Sequence, residues 1–285
     1  MVSKKMRTQS ASYFLTRLAC TFIAVAALII SLGACEKKEP AFQCMDPIGC
    51  VSILPGKPIR IGVLQALSGK VAPLGIEQIR GIELALDARD SNIAGHDIVL
   101  QKEDTGCSAE GGANAALKIL AHPETAAVIG TTCSIAGAAA SKMISEAGMT
   151  LISGNNSAPF LTSIGGKRAP NWQEGYFRTA SNEEHAGKAA ALFAFRNLGI
   201  KKAATINDGD IYTRGLTKGF EQAFEAFGGK VVLAATVNKG DENMTPMVEA
   251  VIHSKAGMIF SLYFNRKETV FCFRHEKHGN WMILF

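Results

Sequence analysis

The sequence predicts an α/β protein with two doubly wound parallel-sheet lobes. Short Val- and Ile-rich runs, each closed by Gly and small hydroxyl residues, alternate with helical patterns from residue 58 onward. That alternation is the mark of βα units in a parallel sheet. It restarts after a loop that contains Gly165, Gly166 and Pro170, which splits it into two series. With 285 residues, 47% apolar and 19% charged, the chain can bury a sizeable core and does not have the composition of a disordered one.

Residues 59–67 read as the first strand and 75–90 as a helix with Ile76, Ile79, Ile82 and Leu86 on one face. Strands follow at 96–104, 126–131 and 149–155, with helices at 108–121 and 134–147 between them. A short strand at 176–180 closes the first series. The second series has helices at 183–198, 213–227, 244–254 and 266–278 and strands at 202–207, 230–237, 257–264 and 281–285. Placing the linker near residues 178–182 gives lobes of 58–180 and 181–285. Right-handed crossovers make both lobes doubly wound.

The stretch 126–159 carries the densest polar chemistry. In parallel sheets ligands sit beyond the carboxyl ends of the strands, and here those ends are 131–134 and 153–157, rich in hydroxyls and amides. Ser134 falls where a helix starts, so its hydroxyl and the unpaired N–H groups behind it suit an anion such as a carboxylate. The alternative is that Ser134 only caps the helix.

Residues 1–17 are basic and polar, and 18–34 form an almost unbroken apolar run without charge. This is a secretory signal pattern, with a single membrane anchor as its rival. The order Leu32, Gly33, Ala34, Cys35 at the end of the run looks like the cleavage motif of bacterial lipoproteins, whose cysteine carries lipid and becomes the new amino terminus. Residues 35–57 are polar and contain Pro, so they read as a tether. Within it Cys44 and Cys50 flank a turn made by Asp46, Pro47 and Gly49. In an exported chain such a pair forms a small disulfide loop, with a metal site as the alternative.

The formal charge of +5 is concentrated at the start. Lys4, Lys5, Arg7 and Arg17 precede residue 35 with no acid among them, leaving 26 basic and 25 acidic residues in the rest. A nearly neutral body without a basic stripe gives no support for nucleic acid as a partner. No phosphate loop, dinucleotide fingerprint, nucleophile elbow or zinc-protease motif occurs, so neither catalysis nor a cofactor is indicated. Cys272, His275 and His278 lie three residues apart on the expected last helix, beside Arg274, Glu276 and Lys277. That spacing spreads them over about a third of the helix circumference, which favours a solvated face over a metal cluster.

An ordered set of motifs resembles the solute-binding lipoproteins of branched-chain amino acid ABC importers, the type I periplasmic binding proteins. The motifs are residues 61–69 (IGVLQALSG), Gly75 with Gly81 and 83–86 (ELAL), Glu103 and Asp104 before Cys107, and 128–130 (VIG) before Cys133 and Ser134. Ala158 and Pro159 before Leu161 and Thr162, then Asn207 and Asp208 before Tyr212 and Gly215, complete the set. The resemblance runs from residue 59 to residue 285. It implies two lobes closing on a small amino acid-like ligand, delivery to the membrane permease of an ABC importer, a lipid anchor and a place on the outer face of a membrane. It also implies a disulfide between Cys107 and Cys133. Ser134, Asn155 and Ser157 become ligand residues of the first lobe, with Tyr212 and Phe264 as aromatics across the cleft. Leu74 stands where well-studied members carry an aromatic. The family's chain continues beyond residue 285, which implies an incomplete second lobe and places the acidic partner of the ligand ammonium in the part beyond. A ligand-sensing receptor subunit of the same fold is the alternative function.

Overall fold

The computed structural model describes residues 43–239, 241, 243–262, 271–274 and 281–284. The chain divides into a unit of residues 1–44, of which only Gln43 and Cys44 are among those described, and a unit of residues 45–285. The apolar run 18–34, Cys35 and Phe264 lie outside the described residues.

In the larger unit the first sheet has six strands in the order β2-β3-β1-β4-β5-β8. They are β1 (Ile59–Gln65), β2 (Asn92–Ile93), β3 (His96–Asp104), β4 (Thr125–Gly130), β5 (Leu151–Ser153) and β8 (Tyr176–Arg178). All neighbours are parallel except β2 and β3, a tight antiparallel pair at the sheet edge. Helices α1 (Ala72–Asp87), α2 (Ala109–Leu120) and α3 (Ser134–Glu146) make the crossovers. Chain order reverses direction at β1, between β3 and β4, and such a switch point opens a crevice at the carboxyl ends. Leu64, Ile119, Val128, Ile144 and Leu151 are almost wholly buried between sheet and helices, each contributing about 1.5–3 kcal/mol by leaving water. A small hairpin not expected from the sequence, β6 (Ser163–Ile164) with β7 (Lys167–Arg168), lies in the loop before β8. Gly165 and Gly166, both at positive φ, form its turn.

The second sheet is parallel, in the order β10-β9-β11, from β9 (Lys202–Asn207), β10 (Lys230–Thr236) and β11 (Met258–Leu262). Helices α4 (Glu183–Leu192) and α5 (Ile211–Ala226) serve one face and α6 (Thr245–Ser254) follows β10. Phe220 stacks on Phe224 at 5.3 Å and on Phe260 at 4.3 Å, and with Leu216, Met258 and Leu262 they form one core. Ala204, Ile206, Val237 and Val251 form another. A single π-helical turn, Phe193–Asn197, ends α4.

Two sequence expectations need correction. Within the helix expected at 266–278 the described residues Phe271–Arg274 are instead a strand (β12), paired antiparallel with Trp281–Leu284 (β13). A run of four residues is too short to show a helical period, and the Gly279-Asn280 that follows in the sequence is a hairpin signal. Of the spaced set Cys272, His275 and His278, the two histidines lie outside the described residues. The tether of 35–57 is also not free along its whole length. Ile48, Gly49, Cys50 and Val51 lie against Ala126, Gly148 and Met149 around a cavity of about 100 Å³, and the Asp46 carboxylate accepts from the Ile48 N–H at 2.9 Å. Cys44 and Cys50 are both disulfide-bonded.

Candidate functional site

A parallel ladder ends by leaving backbone groups unpaired, and side chains must satisfy them if water cannot. At the ends of β4 and β5 they do so with each other. Asn156, fully buried, donates to the Thr131 carbonyl at 2.8 Å and accepts from the hydroxyls of Thr131 and Tyr176, each at 3.2 Å. A Cβ at Gly137 would lie 2.2 Å from the Asn156 Oδ1, so only glycine lets this amide pack against α3. Ser153 Oγ donates to the Thr131 carbonyl at 3.2 Å and accepts from the N–H groups of Asn155 and Asn156. Asn155 Nδ2 reaches the Thr132 carbonyl at 2.9 Å. Thr132 Oγ1 donates to Gln65 at 2.7 Å and accepts from the Ala66 N–H, which joins the ends of β4 and β1 across the switch point. A disulfide between Cys107 and Cys133, Cα atoms 5.2 Å apart, fastens the loop after β3 to the start of α3.

Ser134 does not cap α3. Cys133 holds the cap position without a side-chain bond, and Ser134 is the first helical residue. Its hydroxyl, 5% exposed with the residue, accepts from the Ala158 N–H at 3.3 Å. The first N–H groups of α3 have no acceptor inside the helix.

The second sheet supplies a different surface. Asp210 caps α5 by accepting from the Tyr212 N–H at 2.9 Å, and its other oxygen pairs with Lys239 Nζ at 2.5 Å. Asp208 accepts from the Thr213 hydroxyl at 2.6 Å. Tyr212 packs against the cores of both sheets, and burial, reinforced by the charges of Glu183 and Asp210, pushes its phenol up to about 12. Between the sheets, Arg178 donates to the carbonyls of Asn156 and Ala158 at 3.1 and 3.0 Å and to the Thr162 hydroxyl. Glu183 opens α4, its N–H bonded to the Ser157 carbonyl at 3.0 Å. Burial raises the Glu183 carboxyl above its ordinary value, opposed by a hydrogen bond with Ser157 and by the Arg178 charge.

These groups surround one cavity of about 460 Å³, lined by Val71, Leu74, Thr132, Cys133, Ser134, Asn155, Ser157, Ala180, Ser181, Glu183, Asp210 and Tyr212. Ser134, Asn155, Ser157 and Tyr212 therefore meet at one place, and Phe264 lies outside the described residues. Sequence reasoning missed Glu183 and Asp210. The resemblance puts the acidic partner beyond residue 285, yet two carboxylates already line the cavity. In the sequence Glu183 and Glu184 follow Asn182, whose side chain accepts from the Glu184 N–H at 3.0 Å, so they look like ordinary first-turn acids. A second cavity of about 390 Å³, by Pro159, Arg214 and Lys218 of the α5 side, holds none of the expected site residues.

Two sheets meeting at their carboxyl ends around a cavity lined with hydroxyls, amides and carboxylates define a small-molecule binding protein. The chain belongs to the periplasmic binding protein family, whose model matches residues 58–269. Membership implies an extracytoplasmic location. The Leu/Ile/Val-binding protein BraC3 of Rhizobium johnstonii is 24% identical over 204 residues, which cover 71% of this chain and 53% of the relative. A leucine binding protein of Thermotoga maritima has a similar structure, with a TM-score of 0.64, 22% identity, and coverage of 72% of this chain and 56% of that one. A solute binding protein of R. palustris in complex with benzoate gives 0.62, 23%, 73% and 56%. The chain spans about half the length of the curated relatives it matches.

Proposed function

We propose that the cavity binds a small zwitterionic, amino acid-like ligand and that the protein delivers it to the permease subunits of an ABC importer. One observation carries the ligand class: the start of α3 with Ser134 and the Glu183 carboxylate line the same 460 Å³ cavity. The helix start and hydroxyl suit a carboxylate, while Glu183, Ser157 and the Asn155 carbonyl suit an ammonium group. Tyr212 closes the far side. The relatives named for leucine, isoleucine and valine support this reading. A benzoate-like acid is the second reading, favoured by the benzoate-bound R. palustris relative and by Val71 and Leu74 at the cavity. It would set a second carboxylate beside Glu183 with no cation on the ligand, and like charges repel. In this reading Cys35 carries the lipid, and the lobes divide near residue 180.

Calorimetry with an amino acid panel and a benzoate panel tests the ligand. The expected result is heat with branched-chain or related amino acids and none with benzoates. Glu183→Gln should then lose about ten- to a hundredfold in affinity, the value of one charge-assisted hydrogen bond. Binding of benzoate with Glu183→Gln tighter than the parent would replace the first reading by the second. Mass spectrometry of the membrane fraction tests the anchor, with unmodified Cys35 as the result against it.

A further inference from the structure

The amino end of the second sheet carries a charge imbalance that the cavity does not use. Residues 185–207 contain Lys188, Arg196, Lys201 and Lys202 and no acidic residue, in a chain that is otherwise balanced from residue 35 onward. The fold adds further cations at the same end. Lys230 N–H donates to the Lys201 carbonyl at 2.9 Å and Lys230 is in register with Lys202. The Gly257 N–H donates to the Lys202 carbonyl at 2.9 Å, which brings Lys255, two residues earlier, to this end as well. Arg196, Lys201, Lys202, Lys230 and Lys255 are all exposed. The exposed acids that the packed helices add are Glu225 near the end of α5 and Glu249 in the middle of α6.

Apolar groups stand among these cations. Leu192 is 37% exposed and Phe193 45% exposed where α4 passes into its π-helical turn. Lys201 Nζ lies 3.5 Å from the Phe195 ring centre and the Arg196 guanidinium 5.8 Å from that of Phe227, which lays the long stems on aromatic faces.

We infer that this end of the second sheet is a docking surface for an anionic membrane. A basic rim around exposed Leu and Phe is the composition that rests at the headgroup level of a charged bilayer. With lipid on Cys35, as proposed above, or with the run 18–34 kept as an anchor, the chain stays beside a membrane, so charge complementarity has a partner at hand. Each basic residue near such a surface multiplies the docking equilibrium by roughly fivefold. The cavity lies beyond the carboxyl ends of the strands, so a chain resting on their amino ends keeps its cavity away from the lipid and open to solutes. The inference does not depend on which ligand the cavity takes.

Hydrogen–deuterium exchange on the full chain, inserted by its own amino end into vesicles, provides the test. One set is phosphatidylcholine and the other holds about a third phosphatidylglycerol. Exchange at 192–202 and 228–231 should slow in the anionic vesicles only, and high salt should restore it. The triple variant Lys201→Gln, Lys202→Gln, Lys230→Gln should weaken docking by roughly a hundredfold and so abolish the slowing. Unchanged exchange across α5 shows that the variant is folded, and the salt series on the parent chain stands without it. Equal exchange in the two vesicle types, or slowing that survives salt, overturns the inference.

Discussion

The wall of the cavity supplied by the first sheet is held by neutral hydrogen bonds among buried side chains, whereas the wall supplied by the second sheet is held by charge. Thr131, Thr132, Ser153 and Asn156 satisfy one another and the loop backbone, and a disulfide fastens the loop that carries Cys133. Opposite them, Asp210 pairs with Lys239 and Tyr212 rests on both cores. A neutral network in a low-dielectric site is rigid when fully satisfied. An ion pair with one exposed partner is softer and responds to salt. The first wall is thus the rigid side of the cavity, and under the proposed function the second is the side on which affinity is tuned.

The largest test of that contrast is removal of the crosslink. Cys107→Ser with Cys133→Ser frees a loop with a sequence separation of 26, which corresponds to about 3.5 kcal/mol of folding stability in the chain-entropy account. Denaturant melts of the double variant and of the reduced parent should agree. A loss below about 1 kcal/mol would mean that the hydrogen bonds alone hold the first wall.

Next comes the network itself. Asn156→Leu removes the shorter of the two side-chain bonds to the Thr131 carbonyl, leaving that from Ser153, and an acceptor of the Tyr176 hydroxyl, and the loss should cost about 2–3 kcal/mol. Gly137→Ala should reproduce part of that loss, because its Cβ would strike the same amide. If Asn156→Leu is neutral in stability yet weakens ligand binding, the amide serves the ligand directly and the contrast between the walls fails.

How far the sequence reveals this arrangement depends on how local the signal is. The ends of β3 at His96 and Asp104 and of β9 at Lys202 and Asn207 are legible, because alternation stops there and loop chemistry begins. The loops 131–134 and 153–157 are legible as strand ends, and within them the family resemblance singles out Ser134, Asn155 and Ser157, which line the cavity. Glu183 is not legible, since a first-turn acid after an Asn cap has a complete local explanation and its approach to Ser157 is set by tertiary packing. Asn156 is hidden for the same reason: its neighbour Asn155 looks identical in the sequence, yet one is fully buried and the other half-buried. The strand Phe271–Arg274 is misread because its apolar run is too short to display a period.

Glu183 separates stability from binding as pH changes. Burial raises its carboxyl above the ordinary value of 4.5, so the folded chain holds this proton more tightly than the unfolded chain does. Its contribution to stability is therefore greatest at low pH and falls as pH rises from the ordinary value through the raised one. A ligand ammonium needs the ionised form, so affinity moves the other way. It should decline on acidification below the raised value, approaching tenfold per pH unit, about 1.4 kcal/mol. Titration calorimetry with leucine from neutral pH down through the acid range measures this, and Glu183→Gln should remove the slope. A slope that persists in the variant assigns the proton to another group.

The smallest expected effect falls on the second wall. Replacing Lys239 with Met leaves Asp210, whose side chain is only 3% exposed, without its cation. A fully buried pair broken in this way would cost several kcal/mol, but the Lys239 side chain is 43% exposed and its charge is partly screened already. Asp210 also keeps the Tyr212 N–H bond and its place at the start of α5, where the helix dipole favours a negative charge. The loss of stability should therefore be about 1 kcal/mol, measurable as a shift in the denaturant midpoint. At the same time the cavity wall gains one uncompensated negative charge, so lysine should improve against leucine by roughly two- to fivefold at low salt, with the gain fading as ionic strength rises. If the preference is unchanged while stability falls, Lys239 and Asp210 only brace α5, and the charge that selects the ligand resides in Glu183 alone.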